Sequence, residues 1–163
     1  MRLFKSLALL VLLSIAPVAA LAVPAPMSEQ ELNDKSDLVA QVRVLAVTCT
    51  SITTDEATGE QLPGYLAQLK VVEVKEGDAK PGEVVLVTWR AIPKNVDGPW
   101  TVYYYPGEEM VTHLTKRSGG VTYASTWWNA KGDDIKSPDT RELPVTPGET
   151  VGQVAEPEPQ TPL

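Results

Sequence analysis

Few residues in the chain could carry out metal or nucleophilic chemistry. It contains one histidine, His113, and one cysteine, Cys49, which excludes a multi-histidine centre, a cysteine-cluster zinc site and an internal disulfide. Met110 and His113 are soft or borderline copper ligands, but residues three apart on a strand point to opposite faces. No Gly-x-Ser-x-Gly elbow accompanies the single imidazole. We therefore expect no metal, no cofactor and no catalytic residues.

The acidic residues are numerous but do not form a recognisable site. Asp and Glu total 21 against 14 Lys and Arg, and the net charge is −7. This balance disfavours nucleic acid as a partner, because binding to phosphate needs a basic surface. The acidic pairs at 55–56, 108–109 and 133–134 lack the alternating spacing of a calcium loop. A small carboxylate-dependent hydrolase stays open as a remote alternative, since sequence does not show which acids face each other.

Tryptophan and tyrosine are the most informative side chains. The chain has 4 Trp and 5 Tyr against a single Phe, a preference typical of protein interfaces and of sugar-stacking surfaces. Neighbours on a strand point to opposite faces, so two consecutive indoles do not both enter a core. The alternative is that the three consecutive tyrosines and one Trp fill the end of a barrel. We expect a partner-binding surface that includes Trp100, Tyr103, Tyr104, Tyr105, Trp127 and Trp128.

The N-terminus has the layout of an export signal. Two basic residues precede an apolar run at 7–15, and Ala20 and Ala22 suit cleavage ahead of Val23. A membrane-spanning helix needs about 20 apolar residues, and Pro17 interrupts a shorter run here. We expect residues 1–22 to be a signal peptide, and the mature protein to be periplasmic or extracellular without a stable membrane anchor.

Strands are the elements predicted to position the aromatic residues. Ser28 and Glu31 have capping-box spacing, which predicts a short helix over 28–35. Residues 50–62 are polar and are predicted to form a loop. In the second strand the apolar face switches between Val71 and Val72, which predicts a β-bulge. Alternating or continuous apolar patterns predict strands at 38–47, 64–74, 84–89, 110–115 and 121–128.

Proline and glycine mark the turns and the C-terminal segment. Pro-Gly-Glu occurs at 81–83, 106–108 and 147–149, and Pro followed by Gly suits a type II turn, whose third residue needs positive φ. Residues 137–163 are rich in proline and lack aromatic residues. Such a segment buries too little apolar surface to offset the entropy lost on ordering. We expect a disordered tail there, with a brief strand near Val145.

Together these elements predict a small all-β domain. Five strands with a Pro/Gly-rich connection between the third and fourth favour an OB-like β-barrel, because closure removes exposed strand edges. The alternative is an immunoglobulin-like β-sandwich, which needs about seven strands. The predicted layout is a signal peptide at 1–22, a lead segment at 23–27, the OB-like barrel at 28–136 and the Pro-rich disordered tail at 137–163.

Several short stretches carry a resemblance. Residues 36–42 read Ser-Asp-Leu-Val-Ala-Gln-Val, and residues 67–77 read Ala-Gln-Leu-Lys-Val-Val-Glu-Val-Lys-Glu-Gly. Pro-Gly-Glu at 106–108 precedes a strand ending in Leu114, and Tyr123 and Trp127-Trp128-Asn129 follow. With these features, residues 28–136 resemble exported bacterial domains related to the tissue-inhibitor-of-metalloproteinases and netrin-like OB-fold group.

The resemblance implies a fold and not an inhibitory mechanism. In the animal inhibitors of that group an N-terminal cysteine chelates the target's zinc, whereas the predicted mature N-terminus here is Val23. Cys49 lies inside a predicted strand region instead, and the inhibitors' disulfides are absent. We therefore expect a non-enzymatic exported binding or accessory domain with a protein partner. A carbohydrate-binding module that uses the same exposed Trp and Tyr residues is the alternative.

Overall fold

The computed structural model describes residues 24–94, 96 and 101–155, and these form an all-β structure. Strands take 45% of the described residues and helix 5%. The predicted signal peptide, 1–22, lies outside the described residues, and within them no helix is long and apolar enough to cross a membrane. The elements are α1 (Glu29–Asp34), β1 (Leu38–Thr54), β2 (Gln61–Gly77), β3 (Val84–Arg90), β4 (Glu109–Lys116), β5 (Tyr123–Ser125) and β6 (Thr150–Gly152).

The capping-box prediction for α1 is confirmed. The Glu31 N–H donates to the Ser28 hydroxyl at 3.3 Å, and the Ser28 N–H donates to the Glu31 carboxylate at 2.9 Å. The Ser28 N–H and the Ser28 hydroxyl, which lies 3.0 Å from the same carboxylate oxygen, both donate to the Glu31 carboxylate and lower its pKa below the ordinary value of 4.5. Leu32 is the buried residue of the helix, and Ser36, just after it, shares a hydrogen bond with Thr126 beyond β5. The helix is thereby fixed against the sheet.

All described strands belong to one six-stranded sheet, which does not match the two sheets of the sandwich alternative. β1 pairs antiparallel with β2 and with β4, β2 pairs with β3, and β4 pairs with β5. β3 and β5 run parallel and share a single pair, Val87 with Tyr123. The pairings from β1 through β2, β3, β5 and β4 thus return to β1. The joint between β3 and β5 is the shortest in this series.

β1 and β2 form a longer hairpin than the sequence predicted. Their pairing runs from Leu38 opposite Gly77 to Thr54 opposite Gln61, so the predicted loop over 50–62 is wrong at both ends. The β-branched residues Ile52, Thr53 and Thr54 favour extended pairing although the segment is polar. The predicted bulge is confirmed: Val71 and Glu73 pair with successive residues of β1 and leave Val72 unpaired.

The Pro-Gly-Glu triplets share one geometry, and each directly precedes a strand. Their glycines have φ of +90°, +85° and +88°, as the predicted type II turn requires. In each triplet the glycine N–H donates a hydrogen bond to one residue of an adjacent strand, and the glutamate carbonyl accepts a hydrogen bond from that same residue. Two residues of the triplet thus face a single residue of the adjacent strand, which is a β-bulge. The triplet therefore turns the chain and also starts the next strand. The glycines and their partners are Gly82 with Val71, Gly107 with Val44, and Gly148 with Cys49.

A sixth strand lies within the predicted disordered tail. β6 pairs antiparallel with residues 46–48 of β1, and Leu143 packs against the core. Backbone hydrogen bonds to β1 and the last Pro-Gly-Glu bulge hold this strand, so it needs no large apolar side chain of its own. The strand expected near Val145 does not form, and Val145 is 68% exposed. Residues 156–163 lie outside the described residues.

Candidate functional site

The structure separates the aromatic residues that the sequence placed on one surface. Tyr104 lies in the core, and Tyr103 and Tyr105 stack on each other. Trp127 and Trp128 line a groove at the joint between β3 and β5. Trp100 lies outside the described residues.

Tyr104 is completely buried, so it does not contribute to a surface. Its hydroxyl lies 2.8 Å from the hydroxyls of both Thr112 and Ser125, which satisfies the phenol inside the protein. Its ring lies 5.6 Å from that of Trp89, which in turn lies 5.2 Å from that of Tyr65. Burial raises the pKa of Tyr104. This residue is therefore part of the hydrophobic core.

Tyr103 and Tyr105 flank a buried ion pair. Their ring centroids are 6.5 Å apart at an interplanar angle of 18°. The Lys131 ammonium lies 5.8 Å from the Tyr105 centroid, donates to the Tyr103 carbonyl at 2.8 Å and pairs with Glu108. Burial lowers the pKa of Lys131, and its bond to Glu108 opposes that shift. Because both charges are satisfied within the fold, this cluster acts as a structural anchor.

Trp127 and Trp128 line a cavity of about 230 Å³ between β3, β5 and the segment after β5. A second cavity, of about 360 Å³, adjoins it and is also lined by Thr50 and Ser51 at the end of β1. We name the two together the Trp89 groove. The residues that line both cavities are Thr88, Trp89, Arg90 and Arg117.

The groove exists because β3 and β5 diverge after their single pair. Beyond Val87, side chains take the place of a neighbouring strand. The Arg117 guanidinium donates to the Thr88 carbonyl at 2.9 Å, and the Thr101 hydroxyl donates to the Arg90 carbonyl at 3.3 Å. The carbonyls of Thr88 and Arg90 are therefore satisfied by side chains, and no described strand pairs with this part of the β3 edge.

The charge of the groove is opposite to that of the chain. Arg90 and Arg117 are exposed and line the groove, whereas none of its described lining residues is Asp or Glu. Neither arginine forms an ion pair with a described residue. In a protein of net charge −7, these two guanidinium groups create a local positive site.

Two buried indole N–H groups add further donors. The Nε1 atoms of Trp89 and Trp128 are buried without a hydrogen-bond partner among the described residues. Trp89 is only 9% exposed. A buried donor without an acceptor costs about 1–3 kcal/mol. Both unpartnered N–H groups therefore belong to indoles that line the groove.

The outer wall of the groove is held by the N-terminal lead segment. The Trp127 indole N–H donates to the Ala25 carbonyl at 3.3 Å. The Asn129 side chain accepts from the Met27 N–H at 3.2 Å and donates to the Met27 carbonyl at 2.9 Å. Trp127 thus has a structural contact as well as a face in the groove.

The remaining candidate residues have structural roles. Cys49 is fully buried, and Met110 is 2% exposed. The two ring nitrogens of His113 lie 3.0 Å from the Ala130 carbonyl and 2.8 Å from the Asn33 side-chain oxygen, so the ring links α1 to the sheet. Within the described part of the chain, no group of three or more His, Cys, Asp or Glu could hold a metal ion.

The sequence analysis missed Trp89, Arg90 and Arg117 as site residues. A signal for one of them is present in β3, where Thr88 and Arg90 alternate with buried residues and therefore share the outward face. Arg117 sits in the turn after β4, and nothing in the sequence shows that this turn reaches β3.

Comparison with known proteins gives no family. No protein-family model, no curated protein and no solved structure matches the chain. The function proposed below therefore depends on the fold and on the groove.

Proposed function

We propose that the protein is a non-enzymatic binding domain that recognises a protein partner through the Trp89 groove. The observation that carries this proposal is a concave surface beside the edge of β3, lined by tryptophans and by two arginines that form no ion pair with a described residue. Arg and Trp are the residues most enriched at the energetic centres of protein interfaces. The described lining residues include no carboxylate, imidazole or thiol, so they supply contact and hydrogen bonds and no general base.

We also propose that the sheet forms an OB-like barrel and that the protein is exported. A closed OB-like barrel is supported by the pairings that return to β1 and by the bulges along the long β1–β2 hairpin, which let a small sheet coil. The tissue-inhibitor-of-metalloproteinases and netrin-like resemblance supports the same fold. Export to the periplasm or the cell exterior is proposed from the layout of residues 1–22 alone.

A protein partner is favoured over a glycan by the burial of the indoles. Sugar stacking needs an open aromatic face, whereas Trp89 is 9% exposed and Trp127 and Trp128 are partly buried. The rest of the lining consists mainly of Thr, Ser and Arg, which suits a polypeptide with main-chain and charged groups.

The test is cross-linking inside the groove. A photo-reactive amino acid replaces Thr88 in the full chain, produced with residues 1–22 in the native organism, and irradiation is followed by identification of cross-linked proteins. The control places the same group at Val121, which is 75% exposed and does not line the groove. We expect one discrete protein adduct at position 88 that is absent at position 121.

The contrary outcomes are distinct. Equal capture at both positions would indicate non-specific contact, and capture at neither would refute the binding proposal for this groove. If protein capture fails while neutral oligosaccharides change the tryptophan fluorescence, the carbohydrate-binding alternative replaces it. The variant Trp128→Ala should then lose that fluorescence change.

A further inference from the structure

We propose that the segment bound in the Trp89 groove is an acidic, extended peptide of the partner, with carboxylates held by Arg90 and Arg117. This inference rests on the proposed function and adds the chemistry of the partner. Its basis is the mismatch between a chain with 21 acidic residues and a groove whose described lining has two arginines and no carboxylate.

Most N–H donors of the two arginines in the groove form no hydrogen bond with the described residues. A guanidinium group has five N–H donors, and one nitrogen of Arg117 is fixed on the Thr88 carbonyl at 2.9 Å. Its remaining donors and those of Arg90 have no acidic partner among the described residues. The indole N–H groups of Trp89 and Trp128 also lack an acceptor there. A ligand rich in acceptors matches the two exposed guanidinium groups, and paired carboxylates match them best because Arg–carboxylate bonds are charge-assisted.

Both arginines line both cavities of the groove. One occupant of the groove can therefore contact both guanidinium groups. On an extended peptide, side chains two residues apart lie on the same face about 6.6 Å apart. A Glu-x-Glu segment therefore presents two carboxylates on one face to the two arginines.

The open edge of β3 favours a polypeptide over an anionic glycan. The carbonyls of Thr88 and Arg90 accept from the side chains of Arg117 and Thr101 and not from another strand. An extended peptide that displaces these two side-chain donors can run along this edge with main-chain contacts. Acidic segments are repelled by most of this negatively charged surface, so attraction confined to the groove would also fix where and in which register the peptide binds.

The test uses two defined pools of octapeptides, acetylated and amidated at their ends. One pool has Glu at positions 4 and 6, the other has Gln there, and the remaining positions are the same mixture of uncharged residues. Binding to the full mature chain is followed by NMR of the indole N–H signals, of which 4 Trp provide one each. We expect the Glu pool to shift the Trp89 and Trp128 signals, and the Gln pool to bind about tenfold more weakly. Added salt should weaken the Glu pool only.

Substitutions assign the effect to the groove. Arg90→Gln should weaken the Glu pool about tenfold, and Arg117→Gln should do the same. The control Lys75→Gln removes the same charge from an exposed position of β2 outside the groove and should bind like the wild type. Arg90 donates no side-chain hydrogen bond to the described residues, so its variant tests charge even if Arg117→Gln disturbs Thr88.

Each other result overturns the inference. Equal binding of the Glu and Gln pools would remove the role of the carboxylate, and equal weakening by Lys75→Gln would remove the role of the groove. Binding of oligogalacturonate but of neither pool would assign the site to an anionic glycan. Groove signals that move in the peptide-free variant Glu156→Gln/Glu158→Gln would assign it to the chain's own C-terminal segment.

The result also separates the two proposals. If the photo-reactive group at position 88 captures a partner, and adding Arg90→Gln leaves that capture unchanged, the binding function stands and the acidic-peptide inference fails. If no partner is captured, the binding function fails whatever the pools do.

Discussion

The Pro-Gly-Glu turns allow a stability experiment with internal controls. Gly82, Gly107 and Gly148 have almost the same positive φ, +90°, +85° and +88°, and the same bulge hydrogen bonds. A Cβ atom added at Gly82 or Gly148 meets nothing within 4 Å, whereas at Gly107 it overlaps the backbone and side chain of Asp139. Replacing each glycine by alanine therefore separates backbone strain from steric overlap.

The magnitudes follow from these differences. Alanine in the left-handed region costs about 1–2 kcal/mol, and the reduced freedom of the unfolded chain offsets about 0.4–1 kcal/mol. Gly82→Ala and Gly148→Ala should thus each lose about 1 kcal/mol. Gly107→Ala must also displace Asp139, whose N–H donates to the Pro106 carbonyl at 2.8 Å. With that bond and its packing disturbed, we expect a loss of about 3 kcal/mol.

Equilibrium urea unfolding of the mature protein, followed by tryptophan fluorescence, measures all three losses on one scale. The expected order is a large loss for Gly107→Ala and small, similar losses for the other two. Equal losses at the three positions would refute the steric reasoning and would mean that the Asp139 segment moves away at little cost. A larger loss at Gly82 or Gly148 would contradict the assigned turn geometry.

Three further changes test other parts of the fold. Lys131→Met leaves the buried Glu108 without its cation and should lower the free energy of unfolding by about 3 kcal/mol. Lys136→Met breaks an exposed ion pair and should lower it by less than about 0.5 kcal/mol. Equal losses for the two variants in urea unfolding would contradict the role of burial. Burial raises the pKa of Tyr104 above 10.0, so its stabilising contribution is present below pH 10 and is lost as the pH rises through the raised value. Burial also raises the pKa of Tyr65 and of Tyr105, so absorbance titration should show several late-ionising phenols, with one fewer in Tyr104→Phe; an unchanged late phase in that variant would contradict the assignment to Tyr104. Ser28→Ala should cost about 1 kcal/mol at pH 7. Because the hydrogen bonds of Ser28 lower the pKa of the capping-box carboxyl from 4.5, part of this loss should disappear as the pH falls through the lowered value; a loss of the same size at pH 7 and at low pH would contradict that coupling.

Features that depend on one or two neighbouring residues could be predicted from the sequence. Ser28 and Glu31 specify the start of α1, and the switch of face at Val72 specifies a bulge. Positive φ at Gly107 follows from its turn chemistry. What could not be predicted is which distant residue each feature meets, because the contact between Gly107 and Asp139 depends on the folded path of the chain.

The same limit applies to β6. Composition predicted disorder because the segment lacks aromatic residues and large apolar runs. The strand is held by backbone pairing to Val47 and its neighbours, which composition does not report. Backbone hydrogen bonds to β1 thus stabilise a strand whose own side chains bury little apolar surface.

The candidate site was predictable in part. Enrichment in aromatic residues identified Trp127 and Trp128, which do line the groove. Alternation in an extended segment could have separated Tyr104 from its two neighbours, since consecutive residues face opposite sides. Arg117 had no such signal, because only the folded sheet brings its turn to the edge of β3.

The groove lies at the weakest joint of the sheet, and this has a physical consequence. β3 and β5 share the single pair of Val87 with Tyr123, so further pairing would close the groove. Beyond that pair, Arg117 satisfies the Thr88 carbonyl, and the wall after β5 is tied through Asn129 to the N-terminal lead. Side chains and the lead thus provide the cohesion that strand pairing provides elsewhere. A side-chain donor can turn toward a ligand more readily than a ladder of strand hydrogen bonds can open. The binding proposed for this joint would therefore leave the rest of the sheet intact.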